Sequence, residues 1–304
     1  MKELPLVSVV TPSLNQAATV AATLESVRAQ TYPRIEHIVV DGGSTDGTLE
    51  ILRKAGGGDA LRWTSEPDSG MYDALNKGFA AASGEVLAYL NTDDAWFPWT
   101  VESAVAALRD HPEAGFVFGD LLIVAPSGKQ RLDLHSPFRL AFLRRHAFLA
   151  QPTVFFRREV WEQAGAFDQS LQLLGDCEYW MRIGGRWPGR KINEVLALQR
   201  DHAAAKRFAE PDALAAELRE IRARYPKPGP VAGAIGLLEA VIWRRVLTLA
   251  FLARAATGRA GKGSWPGFLG QPAARASISR LRLAATLLPV VGSRFAPGAV
   301  GRRR

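Results

Sequence analysis

The chain has 304 residues, of which 47% are hydrophobic and 22% charged, as expected for a globular protein with a sizeable core. Its one cysteine, Cys177, excludes an intramolecular disulfide, and the N-terminus has no apolar run of signal-peptide length, so we expect no secretion. Residues 227–304 carry thirteen Lys and Arg against one acid, so the net charge of +8 belongs to this tail, and residues 1–226, at −4, are not expected to bind nucleic acid.

Four short apolar runs predict the first four β-strands, and each is followed by a helical pattern or a polar loop. The runs cover residues 7–10, 35–40, 61–64 and 86–90. After the first run, the apolar spacing of Val20, Leu24 and Val27 predicts a helix. Strands that alternate with helices at this spacing predict an α/β fold with a mostly parallel sheet flanked by helices.

Each predicted strand ends in polar or acidic residues. These are Thr11 and Ser13, Asp41, Glu66 and Asp68, and Asp93 and Asp94. Ligands bind to parallel sheets at the carboxyl ends of the strands, so we expect these residues to meet at one active-site edge. For Ser44, Asp46 and Asp68 the alternative is a role in the turns alone, because Asp-Gly and Pro-Asp are ordinary turn sequences.

Asp93 and Asp94 are adjacent carboxylates at the end of the fourth apolar run. Two such groups repel each other unless a cation lies between them, and oxygen ligands suit a Mg²⁺ or Mn²⁺ ion that also bridges to a phosphate. The alternative is that Asp94 caps a helix which the chain enters through residues 96–99. Trp96 and Trp99 in that stretch could stack on a sugar ring or pack in the core.

Two nucleotide-binding signatures are missing from the sequence. Residues 11–16, after the first strand, read Thr-Pro-Ser-Leu-Asn-Gln and lack the glycines of the dinucleotide fingerprint of dehydrogenases. No Walker A sequence is present either. Phosphates would therefore have to be held by a metal and by side chains. A nucleotidyltransferase also uses paired metal-binding acids, but the Gly-rich, basic first loop typical of such enzymes is absent.

Several motifs in this order resemble those of family 2 glycosyltransferases with the GT-A fold, especially bacterial enzymes that build polysaccharides. The motifs are residues 9–15, 40–48, 65–78 and 91–94, and a weaker similarity continues as far as residue 207. The resemblance implies a metal-dependent, inverting transfer from a nucleotide-diphosphate sugar to a lipid-linked or polysaccharide acceptor. It assigns donor binding to Thr11, Pro12, Asn15, Asp41, Asp73, Lys77, Asn91, Asp93 and Arg200, and the divalent metal to Asp93 and Asp94, with His202 as a further candidate.

The resemblance also implies a catalytic base within residues 175–180, Gly-Asp-Cys-Glu-Tyr-Trp. Relatives commonly have Glu-Asp at the start of this stretch, so the base becomes Asp176, with Glu178 as the alternative, although Gly175 departs from the pattern. An inverting transfer needs such a base to take the proton of the acceptor hydroxyl. The alternative role for Asp176 is to cap the following helix. For the whole chain, the alternative is a nucleotide-sugar-binding homologue with weak catalysis.

Arg200 and His202 lie where relatives often have an Arg and a His ahead of a mobile loop, from which both can contact the diphosphate or the metal. This chain continues with three alanines and Lys206, which departs from the Gly/Ser-rich loop of relatives. The alternative for His202 is an ordinary surface position.

The composition divides the chain into a catalytic domain, residues 1–226, and a basic, apolar, helix-prone extension, residues 227–304. The apolar run at residues 231–253 is long enough to span a bilayer, but Arg244 and Arg245 would each cost about 2.5–3.5 kcal/mol near its centre. We therefore expect the extension to lie on an anionic membrane surface, at the cytoplasmic face of the cell membrane. The alternative is that it packs on the catalytic domain or on another subunit.

Overall fold

The computed structural model describes residues 3–56, 58, 60–146, 149–201 and 210–225, and the positions 229–231, 234–235, 238 and 241–242. The strands are β1 (Val7–Ser13), β2 (Ile35–Asp41), β3 (Leu61–Ser65), β4 (Val86–Tyr89), β5 (Asp94–Trp96), β6 (Phe116–Val124), β7 (Gln130–Asp133), β8 (Phe155–Arg157) and β9 (Gly189–Arg200). The helices are α1 (Val20–Arg28), α2 (Thr48–Ala55), α3 (Met71–Ala81), α4 (Thr100–Asp110), α5 (Leu140–His146), α6 (Arg158–Ala164), α7 (Gly175–Gly184) and α8 (Pro211–Arg224).

Within the described residues, nine strands form one sheet in the order β3-β2-β1-β4-β8-β6-β9-β5, and β7 pairs with β6. Strands β1 to β4 pair in parallel, so the α/β fold predicted from the sequence is confirmed. The second half of the sheet is mixed: β5, β7 and β8 pair antiparallel with their neighbours, whereas β6 and β9 are parallel.

Strand β1 is buried on both of its faces. Val7 and Val9 belong to the hydrophobic cluster that contains Val101 of α4, whereas Val10 belongs to the cluster that contains Phe79 of α3. Successive side chains of a strand point to opposite faces of the sheet. Helices therefore cover both faces of the sheet, which explains why this strand reads as a continuous apolar run.

The carboxyl ends of the first strands lie level at one edge of the sheet. Ser13 pairs with Asp41, and Asp41 pairs with Ser65. The N–H of Leu90 donates a hydrogen bond to the carbonyl oxygen of Val10, so the residues after β4 continue past the same edge. The polar residues that follow the four strands are therefore neighbours.

Two tryptophans near this edge are packing residues. The indole Nε1 of Trp96 donates to the carbonyl oxygen of Pro152 at 2.7 Å, and its ring lies 4.9 Å from that of Phe155. The indole Nε1 of Trp99 donates to the carbonyl oxygen of Val195 at 3.1 Å. These contacts favour core packing over the alternative of stacking on a sugar.

The described part of the extension carries four exposed apolar side chains: Val231, Ile235, Leu238 and Ile242. Each of these positions is helical, and spacings of four, three and four residues are typical of the apolar positions of an amphipathic helix. None of the described helices is long and apolar enough to cross a membrane.

Thr11 and His37 form a buried hydrogen-bonded pair between β1 and β2. Thr11 Oγ1 lies 2.8 Å from His37 Nε2, and His37 is 4% exposed. Burial lowers the pKa of His37 to about 4, from an ordinary value of 6.5, so the imidazole is neutral at pH 7.

This pair predicts that the protein loses stability in mild acid. The pKa of His37 is lower in the folded than in the unfolded state, so its contribution is complete above pH 6.5 and falls as the pH drops towards 4. At pH 5 the loss amounts to about 2 kcal/mol, at about 1.4 kcal/mol per pH unit. His37→Gln removes the titration, so urea unfolding should show the free-energy difference between wild type and variant changing by this amount between pH 7.5 and 5. A constant difference would contradict this account.

Candidate functional site

The loops after β1 and β2 are joined by side-chain hydrogen bonds. The N–H of Asn15 donates to Ser44 Oγ at 2.7 Å, and Asn15 Oδ1 accepts from the N–H of Thr45 at 2.9 Å. Asp46 accepts from the N–H of Ala17 at 2.9 Å. Asn15 has a φ of 52°, a left-handed conformation that asparagine tolerates better than most residues. Ser44 and Asp46 therefore stabilise these loops, which agrees with the alternative that they have a role in the turns.

Asp41, the last residue of β2, is hydrogen-bonded to the loop that follows it and to β3. It is fully buried and accepts hydrogen bonds from the N–H of Ser44 at 2.8 Å, from the Ser44 hydroxyl at 2.5 Å and from the Ser65 hydroxyl at 2.8 Å. The hydroxyl of Thr11 is likewise occupied by His37, and Pro12 is buried. The resemblance assigns Thr11, Pro12 and Asp41 to donor binding, and in the structure all three are buried at the carboxyl ends of β1 and β2.

Two acidic side chains pair with Lys77, which lies in the middle of α3. Its Nζ lies 2.9 Å from Glu66 Oε1 and 3.4 Å from Asp73 Oδ2. A hydrogen bond from the N–H of Ser69 lowers the pKa of Asp73, which therefore stays ionised near neutral pH. Lys77 and Asp73, both assigned to donor binding, are thus brought together at the partly exposed surface of this edge.

Asp68 needs the glycine at position 42. A Cβ built on Gly42 would lie 2.6 Å from Asp68 Oδ2, which is closer than real Cβ atoms come. The other carboxylate oxygen, Oδ1, accepts from the N–H of Gly70 at 2.9 Å. The glycine of the second motif therefore makes room for the acid of the third.

Asp93 lies in the turn before β5 and Asp94 is the first residue of that strand. Asp94 begins β5 and pairs with Gln199, whereas α4 begins only at Thr100, so Asp94 does not cap that helix. The Thr23 hydroxyl holds the turn, because it lies 2.7 Å from the Asp94 carbonyl oxygen. Arg200 Nη1 donates to the carbonyl oxygen of Asp93 at 3.1 Å. Arg200 and the two acids are therefore neighbours.

The residues at this turn suit a cation that is bound together with a phosphate. Asp94 is 1% exposed and Asp93 is half-buried, and their carboxylates are oxygen ligands of the kind that Mg²⁺ and Mn²⁺ prefer. Among the described residues, no group of three or more His, Cys, Asp or Glu side chains is arranged to hold a metal. The remaining ligands would come from the diphosphate. His202, the further metal candidate, lies outside the described residues.

Gln151 links Asn91 to strand β4, a contact that sequence reasoning missed. Gln151 Nε2 donates to the carbonyl oxygen of Tyr89 at 2.7 Å, and Gln151 Oε1 accepts from Asn91 Nδ2 at 3.3 Å. The amide of Asn91, which was assigned to donor binding, is thereby oriented beside the paired acids.

Asp176 and Glu178 both lie in the first turn of α7, and the side chain of Glu178 is buried in the protein interior. The helix begins at Gly175, and its N-cap residue makes no side-chain capping bond. Asp176 is half-buried, and its Oδ1 accepts from the N–H of Cys177 at 2.7 Å. Glu178 is 3% exposed and accepts from Arg182 Nη2 at 2.9 Å and from the Tyr225 hydroxyl at 2.8 Å. Of the two acids, Glu178 is thus committed to internal partners.

Tyr72 explains why position 175 is a glycine. A Cβ on Gly175 would lie 2.7 Å from the Tyr72 ring, so a glutamate there would displace the ring. The Tyr72 hydroxyl accepts from the N–H of Asp176 at 3.1 Å. The departure from the family pattern therefore accompanies a contact that fixes the backbone of the predicted base.

A second buried tyrosine, Tyr89, is the last residue of β4. Burial raises the pKa of Tyr89 well above 10, and the negative charges of Asp176 and Asp94 raise it further. Tyr72 lies within the motif at residues 65–78 and Tyr89 within the fourth apolar run, but neither was assigned a role, because buried aromatic residues are common in any core.

Known proteins share this sequence pattern and this architecture. A family model described as Glycosyl transferase family 2 matches residues 8–160. An uncharacterized glycosyltransferase of Mycobacterium tuberculosis is 35% identical over 238 residues, which cover 75% of this chain and 88% of that protein.

Two solved structures share the fold. S. aureus TarS in complex with UDP-GlcNAc has a TM-score of 0.58 at 17% identity, over 83% of this chain and 73% of that one. The mannosyltransferase PcManGT from Pyrobaculum calidifontis, in complex with GDP-Man and Mn²⁺, has a TM-score of 0.58 at 21% identity, over 94% and 86%.

Proposed function

Because the chain belongs to glycosyl transferase family 2 and is a glycosyltransferase, we propose that it catalyses an inverting transfer from a nucleotide-diphosphate sugar to a hydroxyl group. The observation that carries this proposal is that Asp176 is hydrogen-bonded to Tyr72 of α3, the helix that also carries Asp73 and Lys77 at the edge of the sheet where the two adjacent acids and Arg200 lie. A proton acceptor and a cation-binding carboxylate near each other are what displacement of a diphosphate requires.

In this mechanism the Asp176 carboxylate takes the proton of the acceptor hydroxyl while the hydroxyl oxygen bonds to the anomeric carbon. The bond between that carbon and the diphosphate breaks on the opposite face, and its electron pair leaves with the nucleoside diphosphate. A divalent cation held by Asp93 and Asp94 would supply positive charge to the diphosphate. Arg200, which is held at the Asp93 carbonyl oxygen, adds a second positive charge at the same turn.

The donor is identified by a thermal-shift panel of UDP-, GDP- and dTDP-sugars with and without Mn²⁺. The two solved structures bind UDP-GlcNAc and GDP-Man, so these two donors are the first to test. We expect one of them to raise the melting temperature, and to do so more in Mn²⁺, because a ligand that binds only the folded state stabilises it. Release of nucleoside diphosphate then distinguishes an enzyme from a binding-only homologue. Absence of both binding and release across the panel would overturn the proposal.

We further propose that the acceptor is lipid-linked or a saccharide, and that residues 227–304 form a separate extension that holds residues 1–226 at the inner face of the cell membrane. The exposure and helical spacing of Val231, Ile235, Leu238 and Ile242 support this arrangement, as do the thirteen basic residues of the extension. Apolar residues on one helix face with many nearby cations suit an anionic interface.

Truncation after Pro226 is therefore expected to release the protein from vesicles with anionic lipids and to spare donor hydrolysis. In the full chain, the double variant Ile235→Ser/Leu238→Ser should weaken vesicle co-sedimentation, whereas Leu4→Ser removes an exposed leucine elsewhere and serves as the control. Added salt should weaken wild-type binding because it screens the basic residues. Equal sedimentation of full-length and truncated proteins would contradict the membrane assignment.

A further inference from the structure

Helix α8 holds the segment that leads into α7, and we propose that Glu217 of α8 is a positioning residue for Asp176. The inference rests on the proposed function, because it takes Asp176 as the base. No sequence motif marked Glu217.

The Glu217 carboxylate binds three consecutive backbone amides directly ahead of α7. Its Oε1 accepts from the N–H of Gln172 at 2.6 Å, and its Oε2 accepts from those of Leu173 at 3.0 Å and Leu174 at 2.8 Å. The N–H groups at a helix start have no partner within the helix, and a carboxylate is favoured there by the helix dipole. One side chain therefore fixes the path of the backbone two residues before Asp176.

Two further hydrogen bonds continue this anchoring through the first turn of α7. The Tyr72 hydroxyl of α3 accepts from the N–H of Asp176, and Asp176 Oδ1 accepts from the N–H of Cys177. The backbone is thus held from α8 on one side and from α3 on the other. Because α3 also carries Asp73 and Lys77, the same helix connects the donor side of the edge with the predicted base.

Glu217 acts locally, because α8 has other attachments. Arg224 Nη1 lies 2.5 Å from Asp168 Oδ2, and the hydroxyl of Tyr225, just after the helix, donates to Glu178. Leu214 and Leu218 pack against the core cluster and Ile221 is fully buried within it. Loss of the Glu217 carboxylate should therefore leave α8 docked while it frees the backbone ahead of Asp176.

Glu217→Gln tests this role, because the amide keeps the side-chain volume but has one acceptor oxygen and presents N–H groups to other N–H groups. We expect kcat for donor turnover to fall by about tenfold to a hundredfold, the scale of an ångström-sized misplacement of a reacting group. The donor KM should stay within about twofold, because the donor residues are untouched. The value of kcat is calculated per donor-binding site, so that unfolded protein in a variant's preparation does not lower it. Glu217→Asp should recover part of the loss.

Glu220→Gln is the matched control on the same helix. Glu220 is exposed and pairs with Arg224 at 2.5 Å, without contact to the segment ahead of α7. Its kcat and KM should equal those of wild type.

The decisive experiment compares kcat of the double variant Glu217→Gln/Asp176→Asn with kcat of each single variant. If Glu217 acts through Asp176, Glu217→Gln causes no further loss of kcat in the Asp176→Asn background, because the effects of residues that act as one unit are not additive. An equal fold-loss in both backgrounds, or wild-type kcat in Glu217→Gln, would overturn the inference. If Asp176→Asn alone is fully active, the assignment of the base in the proposed function fails instead.

Discussion

Asp176→Asn is expected to retain nucleotide-sugar binding and to lower turnover by about a hundredfold or more, the usual scale for loss of a general base. Asparagine has the same shape, and its Oδ1 can still accept from the N–H of Cys177, so the first turn of α7 should be unchanged. It cannot take a proton from the acceptor. The measurement is steady-state kcat together with donor affinity by titration.

Glu178→Gln is the comparison variant, and it should behave in the opposite way. Glu178 is buried in an ion pair with Arg182 and accepts from the Tyr225 hydroxyl. Loss of its charge leaves the guanidinium partly buried without its counter-charge, which should cost about 3 kcal/mol of unfolding free energy and change kcat little. A fully active Asp176→Asn with a dead but folded Glu178→Gln would move the base to Glu178.

Asp94→Asn is expected to lower metal-dependent turnover by about a hundredfold or more, because a carboxylate ligand of the cation is replaced by a neutral amide. The melting temperature should change little. The turn is held by the Thr23 hydroxyl at the carbonyl oxygen of Asp94, and β5 pairs with Gln199 through the backbone. Titration of activity with Mn²⁺ measures the effect.

Asp110→Asn is the control for this substitution, since Asp110 is an exposed acid at the end of α4, where it pairs with Arg109. It should titrate with Mn²⁺ as wild type does. An Asp94→Asn enzyme with full activity and unchanged Mn²⁺ dependence would remove the metal assignment.

The sequence predicted the first half of the fold because its signals are local. Apolar runs alternate with turns and helical patterns, and this alternation predicts the parallel pairing of β1 to β4. The second half depends on pairing between distant segments. Asp94 pairs with Gln199 across most of the domain, and no local pattern reports such a contact.

The site was predicted as a set of residues rather than as a set of contacts. The motifs selected Thr11 and Asp41. They could not show that the Thr11 hydroxyl is hydrogen-bonded to His37 or that the Asp41 carboxylate is hydrogen-bonded to the Ser44 loop. Gly175 departed from the pattern for a reason that lies a hundred residues away, in the ring of Tyr72. Glu217 carried no signal at all, since a lone acid on an amphipathic helix is ordinary.

The configuration of the released sugar shows whether this protein displaces a nucleoside diphosphate from a sugar with inversion. The measurement is the ¹H NMR spectrum of the sugar hydrolysed from an α-linked nucleotide sugar by wild-type protein in Mn²⁺, recorded before mutarotation. Water attacking opposite the diphosphate, with Asp176 as base, gives the β-anomer first. Initial release of the α-anomer would contradict the account.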